Sequence, residues 1–439
     1  MSKITFLGAG STIFAKNVLG DCMLTPSVQD FEFALFDIDE QRLEDSENML
    51  NNLKKSLGAN VTIKSYKDRK EALRGAKYVV NAIQVGGYEP STVIDFEIPK
   101  KYGLRQTIGD TIGIGGIFRA LRTIPVMLDF AKDIEEVCPD AWFLNYTNPM
   151  ASLTGAMLSY TNVKTVGLCH SVQAAVPELF KSLDMDDEGV QWKIAGINHL
   201  AWLLEVTKDG KDLYPEIKKR AREKQKEKHD DMVRFELMER FGYYVTESSE
   251  HNAEYHPYFI KCNYPELIEK FNIPLDEYPR RCVNQIKDWE EMREDIVNNQ
   301  NLTHERSHEY ASYIIEAMET GQPFRLHGNV LNTGGLISNL PKNAAVEVPC
   351  LVDRSGITPC YVGDLPEQLA ALDRTNINTQ LLTIEAAMSG KREHIYQAAM
   401  LDPHTAAELS IDDIIALCDD LIEAHGDMLP NFDKPKALV

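Results

Sequence analysis

Apolar positions in the first half of the chain alternate between short unbroken runs and longer stretches with helical spacing. Ile4–Leu7 is a compact run, followed by Gly8-Ala9-Gly10-Ser11 and a helical pattern to about Met23. Phe31–Phe36 is a second run, closed by Asp37-Ile38-Asp39, and Gln41–Leu57 repeats its apolar residues at helical spacing. Further strands are predicted at Tyr78–Gln84, Trp142–Tyr146 and Thr165–Leu168, with helices between them. This alternation is the mark of βαβ units, whose parallel sheet is covered on both faces. The expected fold class is α/β, a doubly wound parallel sheet. From Lys193 the pattern changes to α+β. Ile194–Ile197 and Trp202–Val206 predict short strands, and Pro215–Phe241 a long, heavily charged helix. Helices follow at Arg306–Met318, Leu365–Met388, His394–Met400 and Ile411–His425, with a strand at Ala345–Cys350. No repeat or linker-like tract intervenes, so residues 1–195 and 196–439 are expected to be two domains packed together.

Composition narrows the partners. At 439 residues the chain can bury more than one core's worth of side chains. A net charge of −21 repels phosphate, which argues against nucleic acid and anionic membranes. Met1-Ser2-Lys3 leads directly into a strand-like run, and no apolar stretch reaches the length of a membrane span, so a cytoplasmic protein is expected. The eight cysteines are scattered from Cys22 to Cys418, as reduced thiols are.

The glycine pair is the first chemical signal. A glycine-rich turn between the first strand and a helix lets backbone approach a pyrophosphate, which the helix N-terminus attracts. Gly8, Gly10, Ser11 and Thr12 are therefore expected cofactor contacts, and Asp37 at the end of the second strand is placed to bind the adenosine ribose and select NAD. The third glycine of the fingerprint is replaced by Ile13. Asn145-Tyr146-Thr147-Asn148-Pro149-Met150 resembles the Asn-Pro turn of lactate and malate dehydrogenases, yet the chain lacks their Gly-x-His-Gly. In its place stand Gly167-Leu168-Cys169-His170-Ser171 and Gly196-Ile197-Asn198-His199-Leu200. Taken singly, these residues have plain readings: Cys169 a small buried hydrophobe, His199 a structural histidine, Asn148 a turn residue and Tyr255 a core aromatic.

Together they resemble glycoside hydrolase family 4 and, within it, the α-galactosidases. The resemblance runs from Lys3–Thr12 through Gly86–Pro90, Asn145–Met150, Cys169-His170-Ser171 and Asn198-His199, then Thr246–Tyr255, Asn339–Pro341, Val346–Pro349 and Asp402–Ala407. It implies a Rossmann-type, lactate/malate dehydrogenase-like fold and a homodimer or homotetramer. It also implies an NAD-dependent route outside the two-carboxylate scheme of most glycosidases. NAD takes a hydride from C3 of the sugar, the acidified C2 proton is lost, the glycosidic oxygen leaves C1, and water addition and hydride return complete the cycle. A divalent cation, usually Mn2+, holds the C2 and C3 oxygens. The matching positions make Cys169 and His199 the metal ligands, Asn148 a sugar contact and Tyr255 the base at C2, with Glu250 and His251 as substitutes. Some α-acting members carry an aspartate directly after the metal cysteine, where His170 stands here; His170 and Asp110 are both candidates for the leaving-group acid. The expected substrate is an α-galactoside such as melibiose. The alternatives are α-glucosidase, α-galacturonidase, a 6-phospho-α-glycosidase or a 2-hydroxy acid dehydrogenase.

One competing motif needs a reading. His304-Glu305-Arg306-Ser307-His308 matches a zinc-protease signature, but its polar surroundings predict a solvated helix start.

Overall fold

The computed structural model describes residues 2–432. Six parallel strands form the first half of one sheet: β1 (Lys3–Leu7), β2 (Glu32–Phe36), β3 (Thr62–Tyr66), β4 (Tyr78–Asn81), β5 (Trp142–Asn145) and β6 (Lys164–Gly167), in the order β3-β2-β1-β4-β5-β6. The order reverses at β1, which pairs with β2 on one side and β4 on the other. Ligands of doubly wound sheets bind in the crevice that such a reversal opens at the strands' carboxyl ends. Helices between the strands bury apolar faces against the sheet. The helix Glu40–Leu57 shows why the chain turns there. Asp39 accepts from the Gln41 and Arg42 N–H groups at its start, Lys54 and Lys55 sit in its last turn, and Gly58 ends it in the left-handed conformation (φ 66°).

The second half extends the same sheet. The strands β7 (Gln191–Ile197), β8 (Leu200–Lys208), β9 (Lys211–Asp212), β10 (Phe324–Leu331), β11 (Ala345–Asp353) and β12 (Gly356–Pro359) add antiparallel ladders, and the path continues β6-β10-β11-β7-β8-β9, with β12 on β11. The joins are narrow: β10 meets β6 through Asn329 opposite Gly167, and β11 meets β7 through Glu347 opposite Gly196. The expected domain boundary at 195/196 falls inside β7.

Several elements differ from the sequence expectation. Pro215–Phe241 is two helices, Tyr214–Lys224 and Met232–Phe241, because the charged segment between them offers no apolar residue to hold a continuous helix on the core. The helix expected from Arg306 begins at Tyr310. The His304–His308 motif therefore lies in a loop rather than at a helix start, with Glu305 and His308 exposed and the His304 side chain turned inward. His304 is buried and its Nε2 lies 2.7 Å from Asp21, which also accepts from the Ser307 N–H and hydroxyl. The helix Glu277–Asn298 was not anticipated; it buries only Glu277, Cys282 and Val297, too few to print a helical repeat. All eight cysteines are free. No described helix is long and apolar enough to cross a membrane.

Candidate active site

The glycine turn is built by close backbone approach. Gly8 adopts φ 85°, and a Cβ there would lie 2.7 Å from the Ala82 carbonyl oxygen. Its N–H and that of Ala9 both donate to the Phe36 carbonyl, which draws the turn toward the end of β2. The Gly10 N–H donates to Asp37 Oδ2 at 2.7 Å, so the expected ribose-binding carboxylate also braces the glycine turn. Ser11 occupies the cap position of the helix Thr12–Met23, and no side chain caps that N-terminus. Thr12 departs from expectation in one respect: its hydroxyl is buried against Ser46 at 2.9 Å, so only its backbone faces the turn. Ile38, beside Asp37, is 94% exposed.

A second group collects where β6, the β7–β8 connection and the loop before the helix Ser249–Glu254 converge. Gly167 lets the end of β6 press on the helix Met150–Tyr160, since a Cβ there would fall 2.5 Å from Met150 Sδ. Two residues on, Cys169 Sγ lies 3.3 Å from His199 Nε2, and the same nitrogen lies 3.3 Å from Glu247 Oε2. One ligand atom from each of Cys169, His199 and Glu247 can be chosen so that all lie within 4.8 Å of one another. His199 and Glu247 both hold positive φ, 65° each, an uncommon conformation for such residues and one that turns these two side chains to a common point. Burial alone would raise the Cys169 thiol, but the His199 charge and hydrogen bond bring it below its ordinary value. Burial likewise opposes the His199 charge, yet Glu247 and Cys169 hold the imidazole well above its usual range. A thiolate, an imidazole and a carboxylate in one partly buried cluster form a donor set that suits a divalent transition metal.

The other expected residues surround this cluster. The Tyr255 hydroxyl lies 3.2 Å from His199 Nδ1, on the far side of the ring from the thiol. Burial and the charges of Asp110, Glu254 and Glu247 push its phenol well above the ordinary value. Asn148 Nδ2 donates to Asp110 Oδ2 at 3.4 Å, and Asp110 also accepts from the Thr111 hydroxyl. Burial would raise Asp110, but His251 at 3.6 Å and Arg119 at 4.0 Å hold it well below the usual carboxylate range. His170 starts the helix Ser171–Ser182 with its Nε2 2.8 Å from Glu309, and that hydrogen bond raises the imidazole above its usual value. His251 bridges Asp110 and Glu247, at 3.6 and 3.4 Å. Glu250 points to Arg281.

Three residues escaped the sequence reading. Glu247 and Glu254 lie in the quoted Thr246–Tyr255 stretch without having been singled out. Glu254 accepts from the N–H groups of Thr107, Ile108 and Gly109 and so fixes the loop that carries Asp110. Glu309 lies 139 positions from His170, in no motif, and only the fold brings them together.

The sequence model of the family 4 glycosyl hydrolases matches residues 3–185, and that of the family's C-terminal domain matches residues 194–405. The chain belongs to the family 4 glycosyl hydrolases. An alpha-galactosidase of Bacillus subtilis (strain 168) is 73% identical over 432 residues, covering 98% of this chain and 100% of that one. Among solved structures, a 6-phospho-alpha-glucosidase from gut microorganisms, in complex with NAD and Mn2+, superposes with a TM-score of 0.79 at 21% identity, covering 98% of this family 4 chain and 100% of that one. The malate dehydrogenase of Plasmodium falciparum gives a TM-score of 0.54 at 15% identity, covering 89% and 99%. The shared fold of this glycoside hydrolase is thus the dehydrogenase-like α/β sheet expected from the sequence.

Proposed function

We propose that the protein is an α-galactosidase that uses NAD and a divalent cation, with manganese the expected one. The observation that carries the reading is the convergence of Cys169, His199 and Glu247 beside Tyr255, on the same sheet as the glycine turn. The near-identity of length and the 73% identity with the Bacillus subtilis alpha-galactosidase support the choice of sugar.

Gly8, Gly10, Ser11 and the uncapped N-terminus of the helix Thr12–Met23 would hold the pyrophosphate of NAD, and Asp37 the ribose. Cys169 and His199, joined by Glu247, would hold the cation. When bound, NAD supplies a hydride acceptor for C3 and the cation polarises the C2 and C3 oxygens. The residues do the rest. Asn148 and Asp110, linked to each other, bind sugar hydroxyls. Tyr255 takes the C2 proton as its phenolate, a form that burial disfavours and that the positive charge of a cation held at Cys169, His199 and Glu247 would favour; its hydroxyl lies 3.2 Å from His199 Nδ1. His170 gives its proton to the leaving oxygen, and the Glu309 carboxylate favours the charged imidazole for that step. Glu250 and His251, the substitutes for the base, are engaged with Arg281 and with the Asp110–Glu247 pair.

A panel of nitrophenyl α-glycosides, assayed with NAD, manganese and a reductant, tests the reading. Selective cleavage of the galactoside that depends on both additives supports it. Preference for a glucoside, galacturonide or 6-phosphoglycoside would replace the substrate, and steady NADH formation from malate or lactate would replace the reaction.

A further inference from the structure

Beside the candidate site lies a guanidinium that is already occupied. Arg281, near the start of the helix Glu277–Asn298, donates from Nε to Glu277 Oε1 at 2.7 Å and from a terminal nitrogen to Glu250 Oε1 at 2.5 Å. Glu250 adjoins His251, the bridge between Asp110 and Glu247, and its carbonyl accepts from the Thr107 hydroxyl at 2.6 Å. The same helix start presents Tyr278, whose hydroxyl accepts from Arg119, and Arg119 stands 4.0 Å from Asp110. Both guanidinium groups set against site residues thus face carboxylates. They differ in access: the Arg119 side chain is 9% exposed and that of Arg281 is 44% exposed, so Arg281 is the more open of the two to an incoming ligand.

A galactoside and a galacturonide differ only at C6, a hydroxymethyl in one and a carboxylate in the other. Proteins recognise carboxylates best with a guanidinium that can present two parallel N–H donors. A guanidinium already engaged by Glu250 and Glu277, the latter also held by Arg280, instead meets an anionic sugar with those carboxylates in the way. We infer that Glu250 sets the preference for a neutral hexoside over a hexuronide by occupying the Arg281 guanidinium, the group that would otherwise pair with a sugar carboxylate. The inference rests on the α-galactosidase reading above. It makes Glu250 a specificity-determining residue, with rejection of the acid sugar as its contribution.

Calorimetric titration of galactose and of galacturonate into enzyme loaded with NAD and manganese tests it, because binding is read without turnover. The ratio of the two dissociation constants should favour galactose in the wild type. In Glu250→Gln it should shift toward galacturonate by about tenfold, the scale of one charge-assisted hydrogen bond. Glu277→Gln, which frees the other edge of the same guanidinium, should shift it in the same direction. Adding Arg281→Met to Glu250→Gln should restore the wild-type ratio. An unchanged ratio in both single variants, or a gain that survives the loss of Arg281, overturns the inference. Wild-type enzyme that cleaves no α-galactoside would instead overturn the reading beneath it.

Discussion

Cys169 acquires its chemistry from its neighbours. A buried thiol on its own holds its proton tightly, whereas one 3.3 Å from an imidazole whose charge Glu247 favours releases it more readily. Cys169→Ser should therefore abolish metal-dependent turnover and leave NAD affinity largely intact, read by manganese-dependent assay and by fluorescence titration of NAD. Full activity at limiting manganese would contradict the assignment. His170 follows the same logic with the sign made explicit. Glu309 raises its pKa, so the proton-donating form persists to higher pH and activity falls as pH rises through that raised value. Glu309→Gln should move the alkaline limb of the kcat/KM profile to lower pH, and an unmoved limb would remove His170 from the role. At this scale the sequence was legible where residues cluster along the chain, as in Cys169-His170 and Thr246–Tyr255. It was silent on Glu309, because nothing local records a contact made across 139 positions.

Elements were legible in proportion to how much of themselves they bury. β1, β4 and the helix Glu40–Leu57 print their periods because one face or both meet the core. β3 alternates exposed and half-buried residues, and β10 carries His327, Gly328 and Asn329 in its interior, so neither reads as a strand. The turn after β1 is the element proposed to hold the cofactor. Gly8→Ala would place a methyl 2.7 Å from the Ala82 oxygen at φ 85°, a strain of about 1–3 kcal/mol. It should lower both the midpoint of urea denaturation and NAD affinity; wild-type NAD affinity in this variant would contradict the assignment of the turn.

At the scale of the whole molecule, Asp95 ties the helix Ile411–His425 to the first half of the chain. Asp95 accepts from both terminal nitrogens of Arg122, at 3.2 and 2.7 Å, and lies 2.8 Å from His425 Nε2; all three residues are buried. Asp95→Asn leaves a buried guanidinium uncompensated and should cost about 3–5 kcal/mol in urea denaturation. A loss under about 1 kcal/mol would show that the cluster is solvated in practice. The continuous sheet joins β6, which leads into Cys169, to β7 and β8, whose connection carries His199, which is how one crevice gathers residues from both halves of the chain. The central claim is that the crevice breaks the glycosidic bond by elimination across C1 and C2. Galactose released by the enzyme in D₂O tests it most directly: the account predicts deuterium at C2, with exchange and turnover falling together by roughly 10²- to 10⁴-fold in Tyr255→Phe. Galactose free of deuterium at C2 would contradict it, since displacement at C1 leaves that bond untouched.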